Sequence, residues 1–202
     1  MFSPLKADSG LLVAFEGLDQ SGKQTQAELL RERLISNSRT VQLLSFPDYQ
    51  TMIGAEIGRA LRGEREYTAD VMQLLYVANR YEWKSEIRRA TAAGVVVVCD
   101  RYLASSIAYG EAQGLDPEWL SDIQKYLPEP DITFLLDIPP EISAKRKIAD
   151  RDRYERDLSL LSRVRDSYQR QAVGANWVRL DAVRPPEVIG DDVWRAVSAL
   201  FS

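Results

Sequence analysis

Five short apolar runs along the chain predict five β-strands. The runs are rich in Val, Leu, Ile and Phe, which is typical of strands that are buried on both faces of a sheet. The predicted strands are Leu11–Glu16, Thr40–Phe46, Val95–Asp100, Ile132–Asp137 and Trp177–Asp181.

Longer stretches, in which apolar residues recur at helical spacing, separate these runs. In the first stretch, Ala27, Leu30 and Leu34 form an apolar stripe along one face of a helix. The predicted helices are Lys23–Ser36, Met52–Arg62, Thr68–Ala93, Ala104–Gln113, Pro117–Tyr126, Pro140–Ala149, Glu155–Ala172 and Pro186–Phe201. Strands that alternate with helices predict an α/β fold, a doubly wound parallel five-stranded sheet with helices on both faces. Ligands of such folds bind beyond the carboxyl ends of the strands.

The loop after the first predicted strand has the spacing of a phosphate-binding P-loop. Its residues are Gly17, Leu18, Asp19, Gln20, Ser21, Gly22, Lys23, Gln24 and Thr25. They match the pattern G-x-x-x-x-G-K-[ST] except at the last position, which is Gln24. The glycines allow backbone N–H groups to converge on phosphate oxygens, and the helix that follows directs its positive end toward them. A glycine-rich turn without a ligand is the alternative, which the flanking strand and helix disfavour. The loop therefore predicts a nucleoside triphosphate site, and Gln24 leaves open how a metal ion is held.

Three further segments carry candidate chemistry. Asp100 and Arg101 follow the third strand. At this position a carboxylate predicts a residue beside a metal ion, and a guanidinium predicts a residue that binds phosphate. Tyr76 and Arg80 are four residues apart on the long helix, so a ring and a guanidinium share one face that can hold a base; a surface cation–π pair is the alternative. The mixed-charge stretch 145–156 is interpreted as a lid over the phosphate site rather than a solvated helix face.

Composition narrows the possible functions. The 202 residues suffice for one well-buried domain, and 30 acidic against 26 basic residues disfavour a nucleic-acid binder. No apolar stretch is long enough to span a membrane, and the single cysteine, Cys99, suits a reducing cytoplasm. The absence of histidine excludes nucleophilic schemes that need an imidazole base. Phosphoryl transfer remains, because it depends mainly on positioning and on charge stabilisation.

Taken in order, the motifs resemble the thymidylate kinase family, whose members phosphorylate dTMP with ATP. The resemblance covers about Leu11 to Ala172. It is carried by Phe15-Glu16-Gly17-Leu18-Asp19, Phe46-Pro47, Asn79-Arg80, Asp100-Arg101-Tyr102-Leu103-Ala104-Ser105, Leu135-Leu136-Asp137 and Asp152-Arg153-Tyr154-Glu155.

The resemblance implies roles on the donor side. Backbone groups of Gln20–Thr25 and the ammonium of Lys23 would hold the ATP phosphates, and Arg146 would lie against adenine. Asp100 would serve the Mg²⁺ shell, and Arg101 would bridge the acceptor phosphate and the transferring group. The catalytic residues implied in this way are Lys23, Arg101, Asp19 and, in the lid, Arg153.

It also implies roles on the acceptor side. Tyr76 would stack on thymine, Arg80 would donate to the thymine O4, and Tyr109 would crowd out a ribose 2′-hydroxyl. Asp19 would approach the sugar 3′-hydroxyl and the phosphate of dTMP. The other implied dTMP contacts are Phe46, Tyr49, Ser105, Ser106, Tyr154 and Glu155.

Two departures from the family pattern affect these assignments. Gln20 stands where some members carry a P-loop arginine, so the catalytic arginine is expected in the lid, and Arg153 is favoured over Arg151. Tyr49 stands where many members have an arginine on the dTMP phosphate. A hydroxyl brings no charge to that phosphate, so Arg101 would contribute more to binding it.

The sequence thus predicts a single kinase domain over residues 1–202, with a lid at about 147–155. The expected activity is Mg²⁺-assisted phosphorylation of dTMP to dTDP by ATP, in dTTP synthesis. The resemblance implies a homodimer, and the composition favours a cytoplasmic protein that binds neither nucleic acid nor membrane. A kinase for another nucleoside monophosphate and a non-catalytic nucleotide-dependent switch are the alternatives.

Overall fold

The structure, a computed structural model, describes residues 10–146 and 157–201. Within these ranges five parallel strands form one sheet in the spatial order β2-β3-β1-β4-β5. The strands are β1 (Leu12–Glu16), β2 (Val41–Ser45), β3 (Val96–Asp100), β4 (Ile132–Asp137) and β5 (Trp177–Asp181). The predicted α/β fold with a parallel five-stranded sheet is confirmed.

Helices connect the strands and cover both faces of the sheet. They are α1 (Lys23–Ser36), α2 (Met52–Leu61), α3 (Ala69–Ala92), α4 (Leu103–Ala112), α5 (Pro117–Asp122), α6 (Pro140–Arg146), α7 (Leu158–Gln171) and α8 (Pro186–Ser198), and a 3₁₀ turn follows at Ala199–Phe201. No helix in the described ranges is both long and apolar enough to cross a bilayer.

Successive residues of β1 enter two different cores, because side chains of a strand alternate between the faces of its sheet. Val13 and Phe15 belong to a large cluster with apolar residues of α1 and α8. Leu12 and Ala14 belong to a second cluster, which Ile87 of α3 joins. A strand buried on both sides needs an unbroken apolar run, which is why the sequence pattern identifies β1.

Most predicted element boundaries agree with the structure to within one residue, and the differences lie at helix ends. Helix α5 ends at Asp122 rather than Tyr126, and turns replace the last predicted residues. Helix α7 begins at Leu158, because the Asp157 side chain accepts from the Leu160 N–H and caps the helix there. The predicted lid, 147–155, lies outside the described residues.

The parallel sheet brings the carboxyl ends of its central strands together. Phe15 of β1 is in register with Asp100 of β3, and Ser45 of β2 is in register with the same aspartate. The P-loop after β1 and the Asp100-Arg101 pair after β3 therefore face each other at one edge of the sheet.

Candidate active site

The P-loop turns sharply between β1 and α1. Gly17 and Gly22 have φ angles of 138° and 95°, and Gln20 also has a positive φ, of 59°. A Cβ at Gly17 would approach the Leu136 carbonyl oxygen to 2.5 Å, so this position requires glycine sterically as well as conformationally. The turn leads into α1 at Lys23, whose first N–H groups are available to an anion.

Lys23 is buried at the base of this loop. Its ammonium donates to the Leu18 carbonyl oxygen at 2.8 Å. Burial, together with the charge of Arg101, lowers the pKa of Lys23 to about 8, although the carboxylates of Asp19 and Asp100 oppose the shift. A phosphate group would add negative charge beside Lys23 and favour its protonated form.

Gln24 extends along the surface of α1. Its amide nitrogen donates to Glu28 Oε1 at 2.9 Å, which is a contact between exposed side chains one helical turn apart. Thr25, also exposed, supplies the hydroxyl that Gln24 lacks. Both residues line the cleft above the loop.

Arg101 follows β3 with a left-handed φ of 63°. This conformation is unfavourable for a residue with a Cβ and is concentrated at functional sites. Its Nη1 donates to the Gly17 carbonyl oxygen at 3.1 Å and to the Ser105 hydroxyl at 3.3 Å, while Nη2 forms an ion pair with Asp19. The pair fixes the guanidinium beside the P-loop.

Asp19 also accepts from the Tyr109 hydroxyl at 3.0 Å. Burial opposes ionisation of the Asp19 carboxyl, but the charges of Arg101 and Lys23, with the hydrogen bonds from Arg101 and Tyr109, lower its pKa to about 2. Burial and the charge of Asp19 raise the pKa of Tyr109. Asp19 is thus ionised and Tyr109 protonated throughout the neutral range.

Glu16, which carried no assigned role in the sequence, organises the start of α4. Its side chain is 1% exposed, and Oε1 accepts from the backbone N–H groups of Tyr102, Ala104 and Ser105. Its Oε2 accepts from the Ser105 hydroxyl at 2.6 Å and from the Tyr168 hydroxyl at 3.2 Å. In the sequence, the only indication of this role was a charged residue in the last position of an otherwise apolar strand.

A cleft opens on the α3 side of Arg101. Nine of the predicted substrate residues line it together: Asp19, Phe46, Tyr49, Tyr76, Arg80, Arg101, Ser105, Ser106 and Tyr109. Sequence reasoning did not assign four others to it, namely Pro47, Leu61, Gln73 and Gln113. We call this the acceptor cleft.

Arg80 of α3 lines the acceptor cleft and is only 3% exposed. Its Nη1 donates to the Ser106 hydroxyl at 2.8 Å and to the Tyr76 carbonyl oxygen at 3.1 Å, and the guanidinium lies 5.9 Å from the centre of the Phe46 ring. Within the described residues its buried Nε–H has no hydrogen-bond partner. Burial lowers the pKa of Arg80. A buried donor of this kind suits a carbonyl oxygen of a bound molecule.

A second cleft lies above the P-loop, and we call it the phosphate cleft. Its lining includes Lys23, Gln24, Thr25 and Asp100, and it shares Asp19, Phe46, Pro47, Tyr49 and Arg101 with the acceptor cleft. The two clefts therefore adjoin at Arg101.

Asp100 contributes a buried Oδ1 that has no hydrogen-bond partner in the described part of the chain. No group of three acidic, His or Cys side chains that could hold a metal ion occurs among the described residues. One carboxylate beside a phosphate site is typical of magnesium, which keeps several waters and takes further oxygens from phosphates. The donor set at Asp100 is compatible with that kind of site.

Arg146, at the end of α6, lies beside the P-loop. It donates to the Gln20 carbonyl oxygen at 3.1 Å and to the Ala182 carbonyl oxygen at 2.9 Å. Arg153, Tyr154 and Glu155 lie outside the described residues, so their predicted roles stay predictions.

Comparison with known proteins identifies the family. The sequence model of the thymidylate kinase family matches residues 15–193. Thymidylate kinase of Plasmodium falciparum is 35% identical over 192 residues, which cover 95% of this chain and 91% of the relative. The corresponding enzyme of Schizosaccharomyces pombe is 35% identical over 198 residues, with 96% and 94% covered. The structure of thymidylate kinase from Candida albicans superposes with a TM-score of 0.81 at 28% identity, covering 96% of this chain and 94% of that one. The chain belongs to the thymidylate kinase family.

Proposed function

We propose that this protein transfers the γ-phosphoryl group of ATP to dTMP and releases dTDP and ADP, as a step in dTTP synthesis. The observation that carries the proposal is the pair of adjoining clefts that meet at Arg101, one above a P-loop and one lined by Tyr76 and Arg80. A phosphoryl donor and an acceptor in these clefts would meet end to end, as in-line transfer requires.

The donor would lie along the P-loop. Backbone N–H groups of Gln20–Thr25 and the first turn of α1 would hold its phosphates, and Lys23 would turn from the Leu18 carbonyl toward them. Arg146, beside Gln20, would lie against the adenine.

The acceptor base would stack on Tyr76 and receive a hydrogen bond from Arg80 at its O4 carbonyl. Cytosine carries an amino group at that position and would leave two donors facing each other, so dCMP is rejected firmly. The methyl group that separates dTMP from dUMP contributes only about 1–3 kcal/mol of discrimination, so dUMP is phosphorylated as a poorer substrate. Tyr109, held by Asp19, would crowd the sugar 2′ position and disfavour ribonucleotides.

Lys23 and Arg101 would stabilise negative charge on the transferring group, and Asp19 would hold Arg101 in place while approaching the sugar 3′-hydroxyl. No covalent intermediate is needed. Magnesium, when bound, would neutralise phosphate charge and orient the donor, with Asp100 and water holding it. Thr25 and Asp100 together would compensate for Gln24.

Residues 147–155 would form the lid of a single kinase domain. From the sequence, Arg153 is the lid arginine that would reach the transferring phosphoryl, and Tyr154 and Glu155 would close the acceptor side.

We also propose a cytoplasmic homodimer that packs through α3. Val71 and Leu74 on this helix are exposed in the single chain, at 36% and 45%. Neighbouring apolar residues on an exposed helix face are typical of interfaces.

The test is ADP release with ATP and Mg²⁺ against a panel of dTMP, dUMP, UMP, dCMP, AMP and GMP. We expect turnover that is highest with dTMP, lower with dUMP and near background with dCMP. Preference for another monophosphate would favour a different kinase of this fold. ATP binding without turnover of any monophosphate would favour a nucleotide-dependent switch.

A further inference from the structure

Helix α3 lines the acceptor cleft with a third polar side chain besides Tyr76 and Arg80. Gln73, Tyr76 and Arg80 are spaced i, i+3 and i+7, so they occupy one face of the helix. All three line the cleft. Gln73 is only 1% exposed, and its Oε1 is buried without a hydrogen-bond partner among the residues that the structure describes.

A buried amide oxygen with no partner destabilises the free protein, because it has lost its hydrogen bonds to water. The Nε–H of Arg80 is likewise buried without a partner among the described residues, and Arg80 lines the same cleft. An acceptor and a donor without partners, on two residues that line one cleft, suit a ligand that carries both a donor and an acceptor.

Burial of an orphaned oxygen alone does not indicate a site. Gln124 is also buried, and its Oε1 likewise has no partner in the described ranges, but its amide nitrogen donates to the Leu103 carbonyl oxygen and it does not line the acceptor cleft. Gln73 differs because its side chain lines the acceptor cleft, in which the substrate base is proposed to lie.

We infer that Gln73 is a specificity-determining residue of the acceptor cleft, whose Oε1 accepts, directly or through one bound water, the N3–H of a pyrimidine imide. The inference rests on the proposed function. The imide edge of thymine or uracil presents a carbonyl oxygen next to an N–H, which Arg80 and Gln73 satisfy together. Cytosine presents an amino group and an acceptor N3, so the same pair would discriminate against it at two adjacent atoms.

The test replaces Gln73 by methionine, which has a similar volume and no hydrogen-bonding amide. We expect Gln73→Met to raise the KM for dTMP about tenfold with kcat changed less than about twofold, because a hydrogen bond to the base contributes to binding rather than to the chemical step. The Tm of the free enzyme should be unchanged or higher, since an unsatisfied buried oxygen has been removed.

N3-methyl-dTMP separates recognition of the N3–H from packing. This nucleotide cannot donate at N3, so wild type and Gln73→Met should use it with the same, low kcat/KM. Gln124→Met is the matched control, and it should leave the KM for dTMP unchanged. An equal loss toward dTMP and N3-methyl-dTMP, accompanied by a lower Tm, would overturn the inference in favour of a structural role. An unchanged KM for dTMP in Gln73→Met would also overturn it. If wild type itself did not turn over dTMP, the proposed function would fail first, so the two failures are distinguishable.

Discussion

Asp19, Lys23 and Arg101 lie close together where the two clefts meet, and their charges affect one another. Asp19 holds Arg101, and Arg101 and Asp19 act on the titration of Lys23 in opposite directions. The positive φ of Arg101 and its bond to the Gly17 carbonyl oxygen direct its guanidinium back over the P-loop. The free enzyme therefore holds two cations close together, and a polyphosphate would relieve their repulsion.

This arrangement predicts a specific pH dependence for Lys23. Its pKa in the free enzyme is lowered to about 8, so the ammonium is present below that pH and is lost as the pH rises through it. We expect kcat/KM for ATP, measured with dTMP well below its KM, to fall above pH about 8, because under that condition the parameter reports the free enzyme. The corresponding fall in kcat should occur at higher pH, because bound phosphates stabilise the ammonium.

Lys23→Arg provides the control, because a guanidinium stays charged throughout this range. Whatever the absolute rate of the variant, its kcat/KM for ATP should not fall near pH 8. A wild-type kcat/KM that stays flat to pH about 9.5 would contradict the assignment of this role to Lys23.

At the scale of elements, the sequence predicted the strands better than the contacts between them. Apolar runs such as Val96–Asp100 identify buried strands directly, and the glycine spacing identified the P-loop. The role of Glu16 could not be predicted in the same way, because it depends on atoms remote in sequence. Glu16 accepts hydrogen bonds from backbone N–H groups more than eighty residues away. A lone acidic residue at the end of a strand does not indicate which groups it will bind.

Glu16 predicts a stability effect that links β1 to α4. In Glu16→Gln an amide N–H₂ replaces one carboxylate oxygen, so donors would face donors at the start of α4 or at Ser105. We expect the free energy of unfolding, measured in urea, to fall by about 3 kcal/mol. Glu32→Gln, at an exposed position of α1, should change it by less than about 0.5 kcal/mol. Equal stability of the two variants would show that the Glu16 network contributes little.

At the scale of the whole molecule, one edge of a parallel sheet supplies both clefts. β1 leads to the P-loop, β3 leads to Arg101, and β2 leads to Phe46, so strand order alone brings donor and acceptor together. Helix α3 lines the acceptor cleft through Tyr76 and Arg80, while Leu74 on the same helix is exposed. Packing of two chains through α3 would therefore place an interface directly behind each acceptor cleft.

The proposed dimer predicts a change in mass with one substitution. Sedimentation of the wild type should give a dimer, and Leu74→Glu should give a monomer, because a charge would be buried at the interface. Leu158→Glu is the matched control, since Leu158 is equally exposed, at 45%, but lies on α7. A monomeric wild type, or a dimer that Leu74→Glu does not weaken, would place the interface elsewhere or remove it.

The proposed reaction transfers a phosphoryl group from the donor to the acceptor across Arg101. The most direct measurement is ³¹P NMR of ATP, Mg²⁺ and dTMP with the enzyme, and with Arg101→Ala as the inactive control. We expect dTDP and ADP to appear in equal amounts as ATP and dTMP disappear, and the variant to slow their formation by at least about a hundredfold. Formation of ADP and inorganic phosphate with dTMP left unchanged would contradict it.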